Sequence, residues 1–434
     1  MLRAVRRNTE LGLILLGTLV TVGAYILASL AEDASIPANI GPFLGIVLGL
    51  QLAAHVAIRR LAPDADGMLL PIAGLLNGLG YVFIVRLDEA KAEPKNLAGL
   101  QSAWVAVGIV AFISTLLLVR RVRDLERYRW TIGLLGIALL LLPLVPGIGR
   151  EYFGARIWVS IGPINFQPGE FAKILLAIFF ASYLVEKREL LAVSSRRIGP
   201  IPLPDPKHLG PVLLAWGASL VVMISQKDLG SSLLFFALFV ALLWVATERA
   251  TYLVVGLLLF AGGAVFAHSH FVHVQDRVDI WLDPWADPKG DGFQIVEAQF
   301  AFSAGGLTGT GINLGSPTRI PLAETDFIFA AIGEELGLVG ATGVLLAYLL
   351  VVGAGLRIAL RTEVPFERLL ATGLTVLIGV QSFIIIAGVI RVLPLTGVTL
   401  PFVSYGGSSL IANYVLLALL LRISDDTVQR QAAP

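Results

Sequence analysis

The chain is punctuated by about twelve apolar runs, each close to the roughly 20 residues that an α-helix needs to cross a bilayer core. They fall near 11–31, 40–58, 68–86, 99–119, 130–147, 168–185, 209–225, 231–247, 251–268, 326–352, 367–390 and 398–421. Hydrocarbon offers the backbone no partner for its polar groups, so runs of this kind must satisfy them internally, as helices. The fold expected is an all-α polytopic membrane protein of about twelve transmembrane helices. Of the 434 residues, 56% are hydrophobic and 15% charged. A formal net charge of +1 gives no ground for a nucleic-acid partner, and the absence of cysteine excludes disulfides, thiolate nucleophiles and thiolate metal sites.

The N-terminal MLRAVRRNTE has a signal peptide's basic start, but the run that follows is too long and lacks a clear small-residue cleavage site, so it reads as the first membrane helix. With the N terminus placed in the cytoplasm, most of the 32 lysines and arginines fall on cytoplasmic connections, among them Arg3, Arg6, Arg7, Arg59, Arg60 and the cluster Arg120, Arg121, Arg123, Arg127 and Arg129. Both termini are then cytoplasmic. Two connections exceed a turn. The cytoplasmic 186–208, ending in IGPIPLPDPKH, reads as an extended spacer because its prolines oppose helix. The outer 269–325 is rich in Gly and Asp, and a loop of that length is usually functional.

Charges within apolar segments mark either internal ion pairs or a substrate cavity. Glu170 and Lys173 of FQPGEFAKILL share one helical face, and both readings stand. Lys227 and Asp228 of ISQKDLGSSLL suit a solvated outer turn with Asp228 capping the next helix. In ETDFIFAAIGEELGLVG, Asp326 lies near a helix start, whereas Glu334 and Glu335 lie deeper and call for water, a cation or a partner such as Arg391. His268, His270 and His273 have no recognised zinc spacing and read as an interfacial cluster.

The outer loop carries WLDPWADPKGDGFQ, with Asp283, Asp287 and Asp291 at intervals of four. Pro284 and Pro288 restrict the chain around the first two, and Gly290 and Gly292 permit a sharp reversal before an amphipathic helix and a glycine-rich loop. An acidic solvated loop explains this pattern by itself. A fixed carboxylate accompanied by Arg277, Lys289 and Arg319, with Lys227 and Arg391 on neighbouring outer connections, also suits group transfer from an anionic donor such as a sugar on a lipid diphosphate. The pattern does not rank the three aspartates.

FGARIWVSIGPINFQPGEFAKI, QKDLGSSLLFF, RVDIWLDPWADPKGDGFQ, ETDFIFAAIGEELGLVG and LPLTGVTLPFVSYGGSSL, in this order over roughly 68–423, together resemble the SEDS family, the RodA, FtsW and SpoVE proteins of bacterial cell-wall synthesis. The resemblance implies a peptidoglycan glycosyltransferase that polymerises lipid II, the undecaprenyl-diphosphate-linked disaccharide-pentapeptide, at the outer face of the cytoplasmic membrane. It implies that Asp287, of the family's DPxGxG motif, is the essential acid, with Asp283 and Asp291 outside the matching position. It also assigns Glu170, Lys173, Asp326, Tyr405 and Ser408 to a substrate cavity, adds Lys227 and Asp228 of the QKDLGSS block, and makes Arg156 and Arg277 contacts to the diphosphate. The partners implied are a class B penicillin-binding protein and other elongasome or divisome membrane proteins; a divalent cation, Mg or Mn, is a candidate cofactor.

On this resemblance, residues 1–67 are two added N-terminal helices, 68–423 the family core with its catalytic loop at about 269–325, and 424–434 a short cytoplasmic tail. Gly169 and Lys227 depart from the family pattern, Lys227 adding an outer cation. The added helices and the QKDLGSS variant lean towards the RodA-like, elongation type. A transporter that flips lipid-linked sugars would account for Glu170 and Lys173 equally well but not for a rigid Asp-Pro motif, and a non-catalytic scaffold for a class B transpeptidase would tolerate the loss of Asp287.

Overall fold

The computed structural model describes residues 2–33, 40–91, 95–152, 155–162, 164–192, 196–198, 201–203, 217, 221 and 225–432. Its helices are α1 (Leu2–Asp33), α2 (Ile40–Leu61), α3 (Leu69–Glu89), α4 (Leu97–Leu118), α5 (Arg129–Leu141), α6 (Gly169–Ala192), α7 (Leu229–Thr247), α8 (Thr251–His270), α9 (Val272–Leu282), α10 (Phe293–Gly305), α11 (Ile328–Arg361), α12 (Pro365–Val389) and α13 (Gly407–Gln431). Among the described residues, nine helical segments are long and apolar enough to cross a membrane. The all-α polytopic class is thus the observed one. The apolar run at 209–225 lies almost wholly outside the described residues.

The chain divides into two compact units. One comprises residues 1–120, 279–354 and 381–434. Its helices approach closely where side chains vanish, the usual device between membrane helices that gain nothing from hydrophobic exclusion. A Cβ on Gly108 of α4 would lie 2.6 Å from the Tyr414 ring of α13, and one on Gly78 of α3 would lie 2.2 Å from Thr21 Oγ1 of α1. Phe112 and Phe402 meet the same Tyr414 ring edge-on, at centroid distances of 6.5 and 5.5 Å. At the far end of α13, Asp425 Oδ1 accepts from Asp64 N at 2.7 Å and Ser424 Oγ from Asp66 N at 3.0 Å. Residues read from sequence as the start of a tail are therefore buried helical turns.

The other unit comprises residues 121–278 and 355–380. Here α5 packs on α6, where Gly133 faces Phe179 and Gly136 faces Leu176, and α7 packs between α6 and α8. Two antiparallel elements add to the helices. A three-stranded meander, β1 (Gly149–Tyr152), β2 (Ala155–Ile161) and β3 (Ile164–Phe166), joins α5 to α6, with Gly149 and Phe166 each opposite Val159. A short pair, β4 (Arg196–Ile198) and β5 (Ile201–Leu203), lies in the segment read as an extended spacer.

Three boundaries differ from the apolar runs. α5 ends at Leu141, where Pro143 enters a single 3-10 turn. α11 runs on to Arg361 and is broken at Gly337, whose φ of 63° and ψ of −166° leave the helical region. The run at 398–421 becomes helical only at Gly407: Pro401 and the left-handed Phe402, with φ 65°, belong to a turn in which Leu400 N donates to Ser404 Oγ at 2.9 Å.

Candidate active site

Asp287 occupies an exposed turn between α9 and α10, in the first unit. Its Oδ1 accepts from Gly290 N at 3.0 Å and its Oδ2 from Asp291 N at 3.4 Å, while its carbonyl accepts from Gly290 N at 3.3 Å and Gly292 N at 3.1 Å. The glycine spacing has a steric reason. A Cβ at Gly290 would sit 2.0 Å from Asp287 Oδ2, and one at Gly292 would sit 2.0 Å from the Pro284 carbonyl. Asp283 instead closes its own small turn, Oδ1 accepting from Trp285 N at 3.2 Å. The carboxylate of Asp287 is therefore oriented yet open to solvent, which suits a group that must reach a substrate proton.

Arg391 positions the start of this loop. Its Nε donates to Trp281 O at 2.8 Å and its Nη2 to Leu282 O at 2.5 Å, while Trp281 Nε1 donates back to Arg391 O at 3.2 Å. A cation here also complements the negative end of α9. Arg391 is thus not the partner of the paired glutamates. Glu335 is bound by Arg86 Nε of α3 at 2.7 Å and accepts from Asn313 N at 3.1 Å; Glu334 accepts from Ser316 N at 2.7 Å. The glycine-rich loop after α10 closes on the break in α11: Thr310 N and Gly311 N donate to the carbonyls of Glu334 and Glu335, each at 3.0 Å.

Of the cavity candidates in this unit, Asp326, Tyr405 and Ser408 belong to two blocks that the structure ties together. Tyr405 N donates to Glu324 O at 2.8 Å, and Ser404 Oγ donates to Thr325 O at 2.5 Å. Lys91 Nζ binds Glu324 Oε1 at 2.5 Å, and Gly407 accommodates the Trp104 ring, 2.3 Å from where a Cβ would lie. Burial raises the Tyr405 hydroxyl pKa, against a hydrogen bond with Trp104 that lowers it, so Tyr405 stays a neutral donor.

The remaining candidates lie in the second unit. Lys173 Nζ donates to Glu170 Oε2 at 2.6 Å inside α6, with only 2% and 4% of the two residues exposed. Arg156 N, on β2, donates to Gln226 O at 3.1 Å, and Gln226 Nε2 donates to Leu140 O at 2.6 Å, which anchors the meander to the turn bearing Lys227 and Asp228. Lys227 is left-handed, φ 59°. Asp228 caps α7, its Oδ1 accepting from Ser231 N at 2.9 Å. Burial pushes the Asp228 carboxyl above its ordinary range; Ser231 opposes this, nearby Glu170 adds to it and Arg277 offsets it. Asp228 thus feels both Glu170 and Arg277, and the backbone of Arg156 is tied to the turn that bears Lys227.

A profile described as the cell cycle protein family of FtsW, RodA and SpoVE matches residues 67–429. The chain belongs to this family. As a family member it is 45% identical over 424 residues to the peptidoglycan glycosyltransferase RodA of Mycobacterium bovis, covering 96% of this chain and 90% of that one. It is 34% identical over 366 residues to the probable peptidoglycan glycosyltransferase FtsW of Geobacter metallireducens, covering 83% and 94%. Among solved structures, a chain of a peptidoglycan synthase complex coordinating polymerization and crosslinking aligns with a TM-score of 0.67 at 29% identity, covering 84% of this chain and 99% of that one. The rod shape determining protein RodA of Thermus thermophilus aligns with a TM-score of 0.59 at 27% identity, covering 83% and 97%. The mycobacterial match, at 96% of the chain, extends beyond the residues that the profile matches.

Sequence reading missed Arg86 as the partner of Glu335, and Lys91 as that of Glu324, in this family member. The one signal available for Arg86 was a charge at the end of an apolar run. Among the described residues, no group of three or more His, Cys, Asp or Glu side chains is arranged to hold a metal ion, so the residues do not fit a protein-built cage for Mg or Mn.

Proposed function

We propose that the chain is a peptidoglycan glycosyltransferase that polymerises lipid II at the outer face of the cytoplasmic membrane, in the elongation role of RodA. The observation that carries this reading is the Asp287 carboxylate, exposed and aimed by two backbone N–H groups, in a member of this family. The greater identity to RodA, 45% against 34% and 37% for FtsW relatives, favours elongation over division.

In this reading Asp287 removes the proton from the acceptor sugar hydroxyl as that oxygen attacks the donor's anomeric carbon. The bond from that carbon to the diphosphate breaks, the diphosphate leaves with the electron pair, and the configuration inverts. Arg277, Lys227 and Arg156 balance the charge of the departing diphosphate. A divalent cation would be carried chiefly by the substrate's phosphates, and no step here runs through one. By the family resemblance, Glu170 and Lys173 in one unit, and Asp326, Tyr405 and Ser408 in the other, are candidates for contacts to the substrate. Both termini are cytoplasmic by the distribution of Lys and Arg. The similarity to a chain from a peptidoglycan synthase complex supports a class B penicillin-binding protein as partner.

The test is lipid II polymerisation by the purified chain with such a partner, read as a glycan ladder. Asp287→Asn abolishes the ladder, while Asp283→Asn and Asp291→Asn retain it. A ladder from Asp287→Asn would sink the assignment, and movement of labelled lipid without any ladder from the unaltered chain would favour a transporter.

A further inference from the structure

Three histidines cluster near the junction of α8 and α9, and the structure separates one of them from the others. His268 and His270 are exposed, whereas His273 lies one turn from Arg277 on the same face of α9, with its Nε2 buried and without a hydrogen-bond partner among the described residues. Phe271 packs against the imidazole at a centroid distance of 5.8 Å. A buried polar atom with no partner is uncommon and calls for a reason. The charged groups facing the ring are Arg277 and Asp276 on its own helix and Lys227 from the turn before α7. Burial, then Arg277, then Lys227 hold its pKa below the ordinary histidine value, and Asp276 only partly offsets them, so the ring is neutral near pH 7.

We propose that His273 is a further binding residue for the donor's diphosphate, its Nε2 donating a hydrogen bond to a phosphate oxygen attracted by Arg277 and Lys227. The inference rests on the donor reading above. It gives the unpartnered nitrogen its partner only when an anion is bound. The arriving negative charge cancels the repulsion from the two cations and favours the imidazolium, so the ring takes a proton from solvent as the donor binds. A group whose pKa rises on binding tightens the complex at low pH, and that contribution is lost as pH rises through the pKa of the bound state.

The experiment is calorimetric binding of lipid II to the full chain carrying Asp287→Asn, which prevents turnover, in two buffers of different ionisation heat. Lipid II carries a diphosphate diester with no proton of its own to exchange near neutrality. Between about pH 6 and about pH 8 the dissociation constant should rise roughly tenfold, with net proton uptake on binding. With His273→Gln added, which keeps a donor but cannot titrate, uptake should vanish and the dissociation constant should stay near the high-pH value. Uptake that persists in His273→Gln, or its absence while His273 is intact, overturns the inference; where that variant does not fold, NMR of the imidazole with His273 intact decides it, a ring that stays neutral as lipid II is added overturning the inference. A parallel ladder assay on the unaltered chain separates the two readings. Proton-linked binding without a ladder overturns the polymerase and leaves His273 standing, whereas a ladder without proton linkage overturns His273 alone.

Discussion

The Asp287 carboxylate folds back over Gly290, accepting its N–H at 3.0 Å, and the Cβ that Gly290 lacks would lie 2.0 Å from Oδ2. The glycine therefore sets the direction of the acid as well as the path of the chain. Gly290→Ala forces the carboxylate out of this position without touching the hydrophobic core. Polymerisation should fall on the order of a hundredfold, within the range of a misplaced general base, while the thermal unfolding temperature changes little. An active Gly290→Ala would mean that the turn does not position the acid.

Arg86 and Glu335 form a buried pair, 7% and 1% exposed, between α3 and α11. Arg86→Met strands a carboxylate and should cost about 3–5 kcal/mol. Arg86→Met with Glu335→Gln removes both charges and should recover a large part of that loss. Thermal unfolding of the four proteins in detergent gives the coupling, and additive effects would show that the pair is not one interaction.

The bundle was legible in sequence because apolar length reports membrane helices directly, whereas their ends depended on distant partners. LPLTGVTLPFV is as apolar as a helix, and it is Ser404, bonded to Thr325 far back along the chain, that keeps it in a turn. The strand meander carrying Arg156 was not legible because its strands are short and interrupted by glycine. For the site, the carboxylate spacing did not distinguish Asp287 from Asp283 and Asp291; the family resemblance did. The steric reason for Gly290 and Gly292 needed coordinates, since it concerns atoms those residues lack. Arg391, one of the partners open to Glu334 and Glu335, bonds the carbonyls of Trp281 and Leu282, and Arg86, on α3, holds Glu335 instead.

Arg391 holds the carbonyls of Trp281 and Leu282 at the entry to the catalytic loop. Arg391→Ala removes both bonds and the favourable charge at the end of α9. The site is partly solvated, so the loss should be modest, about 1–2 kcal/mol of local stability. Limited proteolysis within 283–292 should accelerate roughly tenfold, with the global unfolding temperature nearly unchanged. Equal cleavage rates would show that the loop is held elsewhere.

Arg277 bears on both the donor and His273. Arg277→Gln should lower kcat/KM for lipid II roughly thirtyfold, the loss of about 2 kcal/mol of a charged contact. It should also weaken the salt dependence of KM, since one of the attracting charges is gone. Because Arg277 helps to hold the His273 pKa down, the same substitution should raise that pKa, a shift readable by NMR of the imidazole in the protein without substrate. Arg277→Lys keeps the charge without the planar fork, so it should restore the low His273 pKa while recovering only part of kcat/KM. Activity unaffected by Arg277→Gln would remove Arg277 from the diphosphate site, and an unmoved imidazole would show that burial alone sets its pKa.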